Sequence, residues 1–291
     1  MVSWIRDWGL ALLWALLPLL SGPTFGDALD PRSSVFRSAT TIGLWGVWAV
    51  TLVALLIPRT TTLTMVRVVI PASVVAAMWA AFSVPEADWL VGLAVASTMV
   101  ATIVAIAPPM GERFVNGSAY GPERRMPLRP PGLVMLGLVE IVWAAVVAGA
   151  VAGPLLLAAE QWVVGVVVTV VGWPLAYAGA RSLHRLAQRW LVFVPAGLAL
   201  VDPLVLTDSL SMPNRSIQSI APAPAGTTAH DLSAGALGLA LEVGFAQSQE
   251  IVPLSRRGDR PTTVEVNQVL FTPTRPGAVL REARARGLPV S

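Results

Sequence analysis

Few residues in this chain could do acid–base or covalent chemistry, and their spacing argues against most of it. The two histidines, His184 and His230, stand far apart, whereas a zinc site gathers three or four ligands. His230-Asp231 is an adjacent pair, but no serine sits in a nucleophile elbow that could use it. There is no cysteine, hence no thiolate, no disulfide and no Cys-type metal site. Lysine is also missing, so all 20 basic residues are arginine and a Walker-type phosphate loop lacks its cation. These residues point to no catalytic set, no metal and no cofactor. The one carboxylate well inside an apolar run is Glu140. A charge at that depth costs roughly 2.5–3.5 kcal/mol on insertion scales, so it should face protein or water. Glu140 reads either as a proton or substrate site or as a helix-locking group, with Arg67 its nearest partner by depth.

The elements that would position these groups are greasy. Of 291 residues 55% are hydrophobic and 13% charged, and the mean hydropathy is +0.68, the profile of a polytopic membrane protein. A helix needs roughly 20 apolar residues to cross a hydrocarbon core. Runs of about that length occupy 40–57, 66–84, 89–107, 132–159 and 162–180, and a shorter one covers 8–20. The short run reads as a retained first helix or as a signal peptide breaking at Ser21-Gly22-Pro23. Asp7 cancels the charge that a signal's start requires and no A-x-A-like site follows, which favours the helix.

Arginine placement orients the spans. Segments threaded inside hold Arg6, Arg59, Arg67, Arg113, Arg124, Arg125 and Arg129, seven in all; segments threaded outside hold only two, Arg32 and Arg37. The last span runs into a collar of Arg181, His184, Arg185 and Arg189. Both features predict six spans in a plasma membrane, with both termini in the cytoplasm. Leu183, Leu186 and Trp190 against Arg181, Arg185 and Arg189 suggest an amphipathic juxtamembrane linker over 183–190 that meets anionic lipid. Ala145, Gly149 and Gly153, and Gly172, Ala176 and Ala180, recur every fourth residue. Such small faces allow close helix packing, within the chain or in a homo-oligomer.

The segment 108–131 is rich in Pro, Gly and Arg and reads as a cytoplasmic loop. It either binds headgroups through Arg124 and Arg125 or docks the tail or a partner. Its run Asn116-Gly117-Ser118-Ala119-Tyr120-Gly121-Pro122-Glu123-Arg124-Arg125, with the arginine-only composition, resembles actinobacterial multi-pass membrane proteins and implies no activity.

After Trp190 the pattern changes from helical to alternating. Strands are expected over 190–194 and 198–201 around Pro195-Ala196-Gly197, then over 215–220, 237–245, 250–254 and 262–271. Arg256, Arg257 and Arg260 mark the last hairpin tip, either a solvated turn or a small lipid or partner site. Thr274, Pro276 and Gly287 predict a closing helix. The opening Arg189-Trp190-Leu191-Val192-Phe193 and the closing Phe271-Thr272-Pro273-Thr274-Arg275-Pro276 resemble the bacterial pleckstrin-homology-like domain, which implies a binding or assembly module. The expected architecture is a helical membrane domain over 1–182, the 183–190 linker and a cytoplasmic α+β domain over 191–291. The expected function is a non-enzymatic scaffold or accessory subunit whose tail binds protein or lipid headgroups; the alternative is a small transporter working through Glu140. Membrane lipids and a protein partner are the expected ligands, and nucleic acid is not.

Overall fold

The apolar runs become helices whose ends are fixed by capping chemistry. The computed structural model describes residues 2–86, 88–254 and 262–291. In chain order the elements are α1 (Val2–Leu29), α2 (Ser34–Leu56), α3 (Thr60–Ser83), α4 (Trp89–Ile106), α5 (Pro108–Asn116), β1 (Arg124–Pro127), α6 (Val139–Ala158) and α7 (Trp162–Leu186). They continue with β2 (Trp190–Val194), β3 (Gly197–Val201), β4 (Leu210–Pro213), β5 (Ile217–Pro222), β6 (His230–Asp231), β7 (Leu241–Ile251), β8 (Val264–Phe271) and α8 (Pro276–Ala285). Among the described residues, six helical stretches are long and apolar enough to cross a membrane: Trp8–Leu29, Ser34–Leu56, Thr60–Ser83, Trp89–Ile106, Val134–Ala158 and Trp162–Leu186.

Local signals explain the boundaries. Ser33 Oγ accepts from Phe36 N and starts α2; Asp88 accepts from Leu90 N and Val91 N and starts α4. Thr62 Oγ1 accepts from Arg59 N at 2.9 Å, so α3 begins at Thr60, earlier than its hydropathy suggests. α1 runs through Gly22-Pro23, where the signal-peptide reading placed its break, and beyond the 8–20 run. There Ser21 donates back to Leu17 O at 2.8 Å, and the chain turns only at Asp30-Pro31.

The chain divides into two compact units, 1–114 with 141–183 and 115–140 with 184–291. In the first, the α4 helix buries its small residues, hydroxyls included, more than its bulky ones. The buried face of α4 is Val91, Ala94, Ser97, Thr98, Ala101 and Ala105, while Met99, Val100, Ile103 and Ile106 are exposed. The hydroxyls of Ser97 and Thr98 bond back to the Ala94 and Val95 carbonyls. Small residues on the buried face let the helix backbone approach its neighbours closely. The small faces of α6 and α7 meet each other: a Cβ on Gly149 would lie 2.6 Å from Gly172 O, and one on Gly165 would press on Leu157. Trp143 of α6 donates to Val68 O of α3 at 3.0 Å.

The second unit holds two four-stranded sheets, β1-β2-β3-β4 and β5-β7-β8-β6, around one apolar core. Phe193, Leu200, Leu241, Val243, Val269 and Phe271 are fully buried, each contributing about 1.5–3 kcal/mol from burial. The hairpin at Pro195-Ala196-Gly197 forms as read, with Trp190 opposite Val201. Three expectations are corrected. The segment 108–131 is not all loop: Met110 and Phe114 bury one face of α5, and β1 joins the tail's sheet, Met126 opposite Leu191. Residues 237–240 precede β7 instead of opening it, because Gly235 and Gly238 take φ of +69° and +121°; β7 instead runs on to Ile251. Thr274 does not cap α8; its N–H and Oγ1 both donate to Pro127 O, and Arg275 is the N-cap. Val279 and Ala283 of α8 are buried in the core that the two sheets share.

Candidate functional site

The second unit is organised around a buried ion pair. Arg189 follows α7 and precedes β2, and Asp202 follows β3. The β2–β3 register, continued by one residue, sets them opposite each other. Arg189 Nε donates to both carboxylate oxygens of Asp202 at 2.8 Å, and Arg189 NH2 donates to Oδ2 at 2.6 Å. The two side chains are 1% and 0% exposed. A buried charge pair holds only when its remaining hydrogen-bonding capacity is used, and here it is. Arg189 NH1 donates to Arg129 O at 2.7 Å and NH2 to Ser233 O at 3.4 Å; Asp202 Oδ1 accepts from Leu204 N at 3.1 Å. One guanidinium thus ties the hairpin to the segment before α6 and to the loop after β6.

This corrects the place given to Arg189, which is inside the module and presents no charge to a headgroup. The pair was missed although the predicted hairpin carried the signal. Extending its register by one residue beyond Trp190 and Val201 finds Asp202.

The other predicted residues fall in different settings. Arg181 and Arg185 lie one turn apart and exposed near the end of α7, but α7 stops at Leu186 and Trp190 belongs to β2. The amphipathic helix over 183–190 is therefore cut short by the strand. Arg124 on β1 is half-exposed, 3.6 Å from Glu282 of α8. Arg125 stacks over Trp190 at 5.7 Å and donates to Glu123 at 2.7 Å. That hydrogen bond, ahead of the smaller help from the Tyr120 N–H and the Arg125 charge, holds the Glu123 carboxyl below the usual glutamate range. Asn116 clamps the backbone of Arg125 from both sides, its Nδ2 donating to Arg125 O and its Oδ1 accepting from Arg125 N. Arg286 bonds Glu282 and Pro122 O and covers Phe193. Arg256, Arg257 and Arg260 lie outside the described residues.

Glu140 is not deep in a helix. The backbone kinks at Leu136 and Gly137, where Gly137 has φ +102°, and Glu140 falls in the first turn of α6. It is exposed there, and its Oε2 accepts from Gly137 N at 3.1 Å. Arg67 lies two turns inside α3, partly buried, with no hydrogen-bond partner for its Nε.

A shallow cleft of about 290 Å³ opens beside the ion pair, lined by Gln188, Trp190, Pro203, Thr207 and Asp208 among others. Among the described residues no cluster of His, Asp and Glu is arranged to hold a metal ion. No family model matches this chain, and neither a curated protein nor a solved structure matches it.

Proposed function

We propose that the chain is a six-span plasma-membrane protein whose β module lies in the cytoplasm and binds anionic headgroups, serving as a non-enzymatic scaffold or accessory subunit. The observation that carries this reading is the exposed pair Arg181 and Arg185 at the end of the last apolar helix. Guanidiniums at a helix's cytoplasmic end meet anionic lipid at about 1 kcal/mol each. Strand pairing supports the threading. β1 and β2 share a sheet, so the chain between them crosses the membrane an even number of times, and α6 and α7 supply two crossings. Two sheets closed by α8 support a pleckstrin-homology-like module, and the all-arginine basic set supports a high-GC actinobacterial source. The hydrogen bond from Gly137 to Glu140 supports a structural carboxylate over a transport site.

The test is lipid retention. Full-length protein extracted in mild detergent should carry phosphatidylglycerol or cardiolipin above its bulk share. Arg181→Gln with Arg185→Gln should lower that enrichment several-fold. Wild-type protein with no anionic enrichment would remove the headgroup reading.

A further inference from the structure

Four leucines are exposed where a water-facing module would hide them. Leu237 and Leu239, on the loop between β6 and β7, are 63% and 52% exposed, and Leu133 and Leu136, just before α6, are 86% and 73% exposed. The two segments are bonded to each other. Gly132 N donates to Gly235 O at 3.0 Å and Arg129 NH1 donates to Leu237 O at 3.2 Å. A Cβ on Gly132 would lie 2.7 Å from Leu237 Cγ, so the contact needs glycine there. The loop is not loose. Ser233 N bonds Asp231, Gly235 N bonds Ser233 Oγ, and Ser233 O accepts from the buried Arg189. Its leucines are presented outward by a built turn.

The location of this patch says what covers it. Leu133 adjoins Val134, the first residue of an apolar stretch long enough to span a bilayer. A loop bonded to Gly132 is tethered to the short kinked segment 133–138 through which the chain passes into α6. Exposed leucines on that segment and on the loop bonded to it, with the cationic Arg129 donating to the Leu237 carbonyl, match the boundary between headgroups and acyl chains. We propose that the 234–240 loop dips Leu237 and Leu239 into the bilayer interface beside the start of α6, as a second, non-spanning contact of the β module with the membrane. This rests on the reading of 134–158 as a span.

The chain has no cysteine, so single-cysteine labelling tests it directly in full-length protein. Leu237→Cys, Leu239→Cys and Val151→Cys are each labelled with an environment-sensitive fluorophore. The protein is reconstituted in phosphatidylcholine–phosphatidylglycerol vesicles carrying nitroxide lipids at shallow or deep positions. The proposal expects blue-shifted emission at 237 and 239, quenched by shallow nitroxides, with the label at 151 quenched by deep ones. Water-like, unquenched labels at 237 and 239 beside a quenched label at 151 would overturn the loop insertion alone. An unquenched label at 151 would overturn the span and the insertion together.

Discussion

The indole of Trp48 donates to the carbonyl oxygen of Trp14 at 2.8 Å, and that carbonyl is the one that Pro18 deprives of its helical partner. Proline has no N–H, so the carbonyl four residues before it is left open. Trp14 returns the bond, its Nε1 donating to Trp48 O at 3.0 Å. A buried carbonyl left open has no water to turn to, so α2 repairs the gap in α1.

Trp48→Phe keeps the ring and removes the donor. It should destabilise the protein by about 1–3 kcal/mol, the cost of one stranded buried acceptor. Pro18→Ala restores the helical partner of Trp14 O, so Trp48→Phe should cost clearly less in that background. A double-mutant cycle of melting midpoints in detergent reads the coupling; equal costs in both backgrounds would mean the indole does not serve this carbonyl.

Breaking the ion pair from one side should be severe. Arg189→Ala or Asp202→Ala leaves one buried charge uncompensated, at about 3–5 kcal/mol. The double change Arg189→Met with Asp202→Leu removes both charges and should recover much of that loss. Urea or thermal unfolding of the β module, followed by tryptophan emission, compares the three variants. Single variants as stable as wild type would show that the pair does not hold the hairpin.

The α6–α7 contact predicts a sharp positional difference between glycines. A Cβ on Gly149 meets the backbone of Gly172, which cannot move aside, whereas one on Gly43 meets nothing within 4 Å. Gly149→Val should cost about 1–3 kcal/mol through overpacking and Gly43→Val much less, measured as melting shifts in the same detergent. Equal shifts would mean that the two helices do not meet through their small faces.

Glu123 gives a pH dependence of known sign. Its folded carboxyl is held below the usual glutamate range by the Arg125 hydrogen bond. The contribution is therefore present above the unfolded glutamate value, near 4.3, and lost as pH falls through the depressed folded value. Amide exchange in the 120–125 turn should rise as pH is lowered through that window, after correction for intrinsic rates. Glu123→Gln should remove the rise, and a variant with an unchanged profile would assign the pH effect elsewhere.

What the sequence revealed follows from how local each signal is. The six apolar runs and the β2–β3 hairpin depend on neighbouring residues, and both were legible. β1 was not, since in Arg124-Arg125-Met126-Pro127 only Met126 is buried and no alternation is visible. Its partner lies beyond two helices, a pairing no local pattern encodes. The alternating leucines from Leu237 onward read as strand because periodicity ignores backbone sign; the positive φ of Gly235 and Gly238 turns the first two outward. Glu140 looked deeply embedded because hydropathy counts residues along a run and does not see the kink at Gly137.

The threading puts the 115–131 segment and the C-terminal module in one compartment, with the α6–α7 turn one crossing away from each, in the other. It can be tested by labelling single cysteines with an impermeant maleimide in intact bacterial cells. Tyr120→Cys and Ser291→Cys should stay unlabelled until the membrane is opened, while Gln161→Cys, exposed between α6 and α7, should label at once. Labelling of position 291 from outside while position 120 stays protected would contradict the shared sheet and the six-span threading together.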